Sequence, residues 1–163
     1  MKRHESLIPL SHVHHKGLVV AQGLILGRSK APRSTWPSDR GQQVDRVITF
    51  FETDLSKHFE AEEMHLFPVV RARLREGATL VDQLIEDHNE MRARVRGLVQ
   101  DPATGLVDRL RSFGELLKAH IRKEEKVLFE RMQQEMNPAE LKAIGAGLRY
   151  SDRPDGIGSA CRS

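Results

Sequence analysis

The sequence predicts an all-α fold, an up-down-up-down four-helix bundle followed by a short C-terminal helix. Apolar residues recur at three- and four-residue spacing through four long segments, no segment alternates like a strand, and the links after the first loop are short. At 163 residues the chain is long enough for one domain with its own core. We expect that domain to span residues 1–150 and the polar tail, 151–163, to be disordered.

Each element has its own local signal. The five expected helices cover, in order, about residues 6–28, 42–75, 79–99, 102–136 and 139–149. Pro68 predicts a kink in the second helix. Asp101 and Asn137 each precede a proline, which is the usual start of a helix, so we expect the fourth and fifth helices to begin there. Trp36, in the proline-containing loop 29–41, is expected to cover one end of the core.

Composition excludes several classes of protein. The net charge of +3 is small and comes with 23 acidic residues, so nothing calls for nucleic acid. The most apolar stretch, residues 18–26, is too short to span a bilayer, and we expect no membrane association. Cys161 is the single cysteine and cannot form an internal disulfide. This fits a reducing compartment, and a cytoplasmic location is expected.

One ten-residue pattern, H-x-x-x-E-E-x-x-L-F, occurs twice, beginning at His58 and again 62 residues later at His120. Residues four apart on a helix lie one turn apart on the same face, which pairs His58 with Glu62 and His120 with Glu124. The rest of each face is apolar. A buried carboxylate beside an imidazole is costly unless it is paired or bound to a metal, so the doubled motif indicates a metal site.

The first and third helices each add a histidine on an apolar face, His14 and His88. His15 and His12 compete with His14, but the phase of the neighbouring leucines favours His14. The six candidate ligands are therefore His14, His58, Glu62, His88, His120 and Glu124. Six donors exceed the four of a zinc tetrahedron and leave open positions on two six-coordinate ions, so we predict a two-metal site.

This order of a lone histidine and a His-x-x-x-Glu, repeated over four helices, resembles the hemerythrin-like (HHE cation-binding) domain across about residues 7–132. The resemblance implies a non-haem di-iron centre bridged by carboxylates and by oxide or hydroxide, with iron favoured over zinc or manganese. Such centres bind or reduce O₂, or handle NO, peroxide or iron itself.

The chain departs from the O₂-carrying members of that family at two places. Those members have a second histidine four residues after the one on helix three, where this chain has Arg92. They also place an aspartate five residues after the helix-four histidine, where this chain offers Glu124 or Glu125. The internal repeat favours Glu124 as the bridge, with Glu125 as the alternative. Glu63 and Glu125 are expected to face neighbouring helices, and Arg92 to pair with a carboxylate near the site.

Two functions follow from these residues. The first is a di-iron protein that binds or reacts with a small oxygen species (O₂, NO or peroxide) or handles iron. The missing histidine favours a reactive or sensing role over reversible O₂ carriage. The alternative is a structural or regulatory interaction module that uses the metal for stability, without catalysis.

Overall fold

A computed structural model describes residues 2–28 and 34–151, and within them all regular structure is helical, as predicted. A 3₁₀ turn, Glu5–Leu7, leads into α1, Ile8–Leu26. Helix α2 is built from five consecutive segments: Arg40–Phe50, Phe51–Leu55, Ser56–Ala61, Glu62–Leu66 and Phe67–Arg73. The remaining helices are α3, Gly77–Gln100; α4, made of Leu106–Lys123, Glu124–Leu128 and Phe129–Glu135; and α5, Pro138–Ser151.

Helices α2 and α4 each contain a π-helical turn within the repeated motif, at Glu62–Leu66 and Glu124–Leu128. The first of these turns ends two residues before Pro68, the proline from which a kink is predicted. Helix α4 makes the same turn without a proline. The shared motif therefore coincides with the π turn in both helices, and such turns occur frequently at functional sites.

The predicted start of α4 was wrong. The Asp101 carboxylate accepts hydrogen bonds from the backbone N–H groups of Ala103 and Thr104, at 3.1 and 3.0 Å. This local turn competes with helix formation. The helix begins instead at Leu106, after Gly105 in the left-handed conformation (φ 60°).

Two other local predictions are confirmed. Helix α5 begins after Asn137, whose side chain accepts from the Glu140 N–H while Glu140 accepts from the Asn137 N–H, a complete capping box. Trp36 packs against the core, and its indole lies so close to Gly23 of α1 that a Cβ there would stand 2.5 Å from the ring. Glycine at this position admits the tryptophan.

Two apolar clusters fill the interior, one on each side of a buried polar layer. The first includes residues near the start of α1 and α3, the end of α2 and α4, and α5: Leu7, Leu10, Leu66, Phe67, Leu80, Leu84, Leu128, Phe129 and Leu148. The second includes residues later in α1 and α3 and earlier in α2 and α4: Ala21, Leu24, Val47, Phe59, Met91, Leu98, Phe113 and Leu117. Burying these side chains supplies most of the driving force for folding.

Helices α1 and α4 form the most extensive helix pair of the described chain. Their close approach depends on Gly114, where a Cβ would stand 2.8 Å from the backbone oxygen of Ala21. The order in which the four long helices run up and down remains a prediction.

Among the described residues, no helix has both the length and the apolar character needed to cross a bilayer. Residues 29–33 and 152–163, which include part of the predicted loop and nearly all of the predicted tail, lie outside the described residues.

Candidate metal centre

The polar layer between the two apolar clusters consists of the six residues that the sequence singled out. One histidine comes from each of the four long helices, and α2 and α4 each add a glutamate one turn later. All six are at most 5% exposed: His14, His58, Glu62, His88, His120 and Glu124. Charged and titratable groups are rarely buried this completely without a partner.

The six side chains form two groups of four that share both glutamates. His14 and His58 belong to one group and His88 and His120 to the other, and within each group the donor atoms all lie within 4.8 Å of one another. Glu62 spans the two groups, because its Oε1 lies 3.3 Å from His58 Nε2 while its Oε2 lies 3.5 Å from His88 Nε2.

Glu124 also reaches both groups. Its Oε2 lies 3.0 Å from His14 Nε2 and 3.3 Å from His120 Nε2. The arrangement therefore has two carboxylates between two pairs of imidazoles.

Three of the four imidazoles are held from outside by carboxylates on their Nδ1 atoms. Glu125 lies 2.7 Å from His14 Nδ1 and Glu63 lies 2.8 Å from His88 Nδ1. Asp87 lies 3.3 Å from His120 Nδ1. A carboxylate at Nδ1 accepts the ring proton and leaves the inward Nε2 with a free lone pair.

These outer carboxylates are themselves anchored by cations or hydroxyls. Glu125 accepts from Arg3 and Ser11 at 2.5 and 2.6 Å. Arg92 donates to Glu63 at 2.9 Å, and Lys123 donates to Asp87 at 2.9 Å. Each of these three imidazoles is thus held by a carboxylate, and that carboxylate is held in turn by a cationic side chain.

The repeated motif explains this arrangement. Its histidine and first glutamate point into the polar layer, whereas its second glutamate and final phenylalanine hold the lone histidine of another helix. In α2 these are Glu63 and Phe67, which contact His88, with ring centroids 5.5 Å apart. In α4, Glu125 and Phe129 do the same for His14, also at 5.5 Å.

The buried charges perturb one another strongly. Burial, reinforced by the neighbouring Glu124, raises the pKa of Glu62 well above its ordinary value. Burial acts in the same direction on Glu124, but the facing His120 outweighs it and holds the pKa of Glu124 well below the ordinary range. Although burial opposes it, the charge of Glu124 raises the pKa of His120 to about 9.

The donor set fits a pair of cations. His14 Nε2 faces His58 Nε2 at 3.0 Å, and His88 Nε2 faces His120 Nε2 at 3.1 Å. Two nitrogens about 2.1 Å from one ion at adjacent coordination positions would be about 3.0 Å apart. In addition, none of the four oxygens of Glu62 and Glu124 has a hydrogen bond of good geometry. Facing imidazole nitrogens and carboxylate oxygens without hydrogen bonds are both suited to hold positive charge between them.

The structure separates the sequence candidates that remained open. His12 and His15 are exposed, whereas His14 is buried in the polar layer. Glu125 lies on the outer side of His14 rather than in the layer. The expected pairing of Arg92 with a carboxylate is confirmed, and its partner is Glu63.

Sequence reasoning missed Asp87, Lys123, Ser11 and Arg3. Asp87 had a detectable signal, because it directly precedes His88 and so lies beside the candidate face of its helix. Lys123, Ser11 and Arg3 act through contacts that join residues 36, 114 and 122 positions apart, and only the folded structure brings these partners together.

The comparisons with known proteins agree with this geometry. The family model of the hemerythrin HHE cation binding domain matches residues 8–132. The chain belongs to the hemerythrin HHE cation-binding family. Membership agrees with the buried histidine–glutamate cluster, which is able to hold a metal ion.

A curated relative of this hemerythrin-family chain is a protein named DNA nickase from Nostoc sp. (strain PCC 7120 / SAG 25.82 / UTEX 2576). The two are 31% identical over 94 residues, which cover 56% of this chain and 26% of the relative. The chain therefore spans only about a quarter of the relative's length. No solved structure matches the chain.

Proposed function

We propose that the protein is a non-haem di-iron protein whose buried centre binds or reacts with a small oxygen species: O₂, NO or peroxide. The observation that carries this proposal is the pair of four-donor groups that share Glu62 and Glu124. Imidazole and carboxylate together suit iron, and bridging carboxylates suit two ions close together.

In this proposal, His14 and His58 would hold one ion and His88 and His120 the other, and both ions would share Glu62 and Glu124. Two divalent ions carry four positive charges against two negative charges on the glutamates. The remaining positive charge attracts an anionic or reducible small ligand. Six side chains leave coordination positions free for that ligand, and the iron would supply its redox chemistry there.

The surrounding residues prepare this site. The carboxylates of Glu125, Glu63 and Asp87 keep protons on the outer Nδ1 atoms, so that the inner Nε2 atoms are available as donors. Phe59 stacks on His88 with centroids 3.8 Å apart, and an apolar cluster flanks the layer on each side.

We also propose the up-down-up-down order of α1 to α4, within one domain over residues 1–150. Its support is the order of the clusters along the helices. Helices α1 and α3 pass from the first cluster to the second, and α2 and α4 pass from the second to the first. Helices that follow one another in the sequence would then run antiparallel, which is the arrangement that short connections between helices favour.

A metal-stabilised module without catalysis is the second candidate, and the near-complete burial of all six donors favours it. We propose no action on DNA, because the alignment with the nickase covers 26% of that protein and the net charge of this chain is only +3.

Metal content and ligand titration test the proposal. We expect about two irons per chain, and an optical spectrum that changes when an anaerobic sample receives O₂, NO or peroxide. His14→Ala should lower the iron content, whereas its exposed neighbour, His15→Ala, is the matched control and should retain it. One zinc per chain, or a spectrum insensitive to all three ligands, would replace the proposal with the structural module.

A further inference from the structure

The two metal positions differ in how their imidazoles are supported. The lone histidines of α1 and α3, His14 and His88, occupy corresponding places in the internal repeat. The residue before His88 is Asp87, which holds His120. The residue before His14 is Val13, which has no polar side chain. Among the described residues, no protein group forms a hydrogen bond with His58 Nδ1, so one imidazole of the four is held only from the inside.

A pocket lies beside this unsupported imidazole. It has a volume of about 110 Å³ and lies between α1, α2 and α5. Val13, His58, Ala61 and Leu148 contribute to its walls. A cavity of this size holds several waters, since one water needs only about 10–15 Å³. The space into which the ring of His58 could turn is therefore already present.

Resting on the two-cation centre proposed above, we propose that the metal position of His14 and His58 is the labile one. It exchanges its cation through the pocket, by outward rotation of His58. The position of His88 and His120 retains its cation longer.

The outer contacts account for this difference. A cation leaves only after its ligands are replaced by water, and each ligand must move to allow it. Turning His120 outward breaks its contact with Asp87, which Lys123 also anchors. Turning His58 outward breaks no outer contact and brings water from the pocket to the vacated position. Loss of an outer partner typically changes metal affinity 10–100-fold, which sets the size of the expected difference.

The test is metal release into a chelator. Protein loaded anaerobically with two equivalents of iron(II) is mixed with excess colorimetric iron(II) chelator, and release is followed in time. We expect two phases of equal amplitude whose rates differ by about 10–100-fold.

Exchanging the residue types at positions 13 and 87 shows which metal position gives which phase of iron release. Val13→Asp supplies the missing carboxylate and should slow the fast phase by about tenfold or more, whereas Asp87→Val should accelerate the slow phase by a similar factor. Val19→Asp is the matched control, because Val19 is 58% exposed on the same helix and should leave both phases unchanged.

A second variant tests the same proposal in case Val13→Asp does not fold. Ala61→Leu fills the pocket without adding charge and should also slow only the fast phase, with its fold checked by circular dichroism. A single release phase in the unmodified protein, or a fast phase that Ala61→Leu leaves unchanged, would overturn the assignment. A chain that never takes up two equivalents refutes the two-metal centre itself, before any release rate is measured.

Discussion

The substitution Glu62→Gln should change the stability of the protein in opposite directions with and without metal. Glu62 is 0% exposed, and neither of its oxygens has a hydrogen bond. Leaving such a buried polar group unsatisfied costs about 1–3 kcal/mol. In the metal-free protein the amide cannot ionise, so it avoids the cost of burying a carboxyl group that is ionised in the unfolded chain at neutral pH. The free energy of unfolding at neutral pH should therefore rise by about 1–3 kcal/mol. For a chain of this size, Tm moves about 2–4 °C per kcal/mol.

The metal-loaded protein should respond in the opposite way. There Glu62 is a proposed bridging ligand, and an amide oxygen without charge binds a cation more weakly. The same substitution should therefore lower Tm in the presence of saturating iron(II), because less binding energy is added to the folded state. Thermal denaturation of both proteins, each with and without metal, measures the two shifts.

The dependence on pH follows from the sign of the pKa shift. Burial raises the pKa of Glu62 in the folded chain above its ordinary value of 4.5. Its contribution to stability is therefore present below pH 4.5 and is lost as pH rises toward the folded-state pKa. The gain from Glu62→Gln in the metal-free protein should be largest at neutral pH and disappear below pH 4.5.

The adjacent glutamate provides the control. Glu63 is half-buried and pairs with His88 and Arg92, so Glu63→Gln should stabilise neither form of the protein. If Glu62→Gln destabilises the metal-free protein as much as the loaded one, Glu62 acts through protein contacts, and the reasoning about orphaned oxygens is refuted.

Three further predictions concern the support of the site and the packing of the bundle. Glu125→Gln should weaken iron binding by about 10–100-fold in a chelator competition, because it loosens the α1 imidazole; unchanged affinity would contradict that role. Gly114→Ala should lower the free energy of unfolding by about 1–3 kcal/mol, since its Cβ would press on the backbone of α1. Gly97→Ala, whose Cβ would come no closer than 3.4 Å to the Arg109 guanidinium, serves as its control in the same denaturation series. On acidification, iron should leave as the imidazoles protonate, so release should increase as the pH falls below about 6.5, the ordinary pKa of histidine. Burial raises but hydrogen-bonding partners lower the pKa of Glu63 and Glu125, to about 2, so release that waits until pH 2 would implicate these carboxylates instead.

Helical periodicity predicted most of the fold and all members of the buried polar layer. His14 could be chosen over His15 because 100° per residue separates a buried face from an exposed one within a single step. The same phase argument placed Glu62 and Glu124 in the layer and turned Glu63 and Glu125 toward other helices. The angular position of a residue around its helix depends only on its place along the chain, so it can be predicted from the sequence.

The parts that could not be predicted depend on contacts between distant residues or on competing local bonds. Asp101 was expected to begin a helix, but its carboxylate closes a turn on Ala103 and Thr104. The support of Glu125 by Arg3 joins residues 122 positions apart. No spacing rule relates such residues, and their pairing appears only once the helices are packed.

The motif on α2 supports a histidine of α3, and the motif on α4 supports a histidine of α1. In the proposed centre, α1 with α2 and α3 with α4 would each supply only one of the two shared glutamates, although each pair carries one whole copy of the motif. On the function proposed above, a chain cut in the loop between Gln100 and Leu106 would yield two fragments that each need the other to retain iron. Association of the two fragments would then depend on the metal, because ligands from both fragments would bind it.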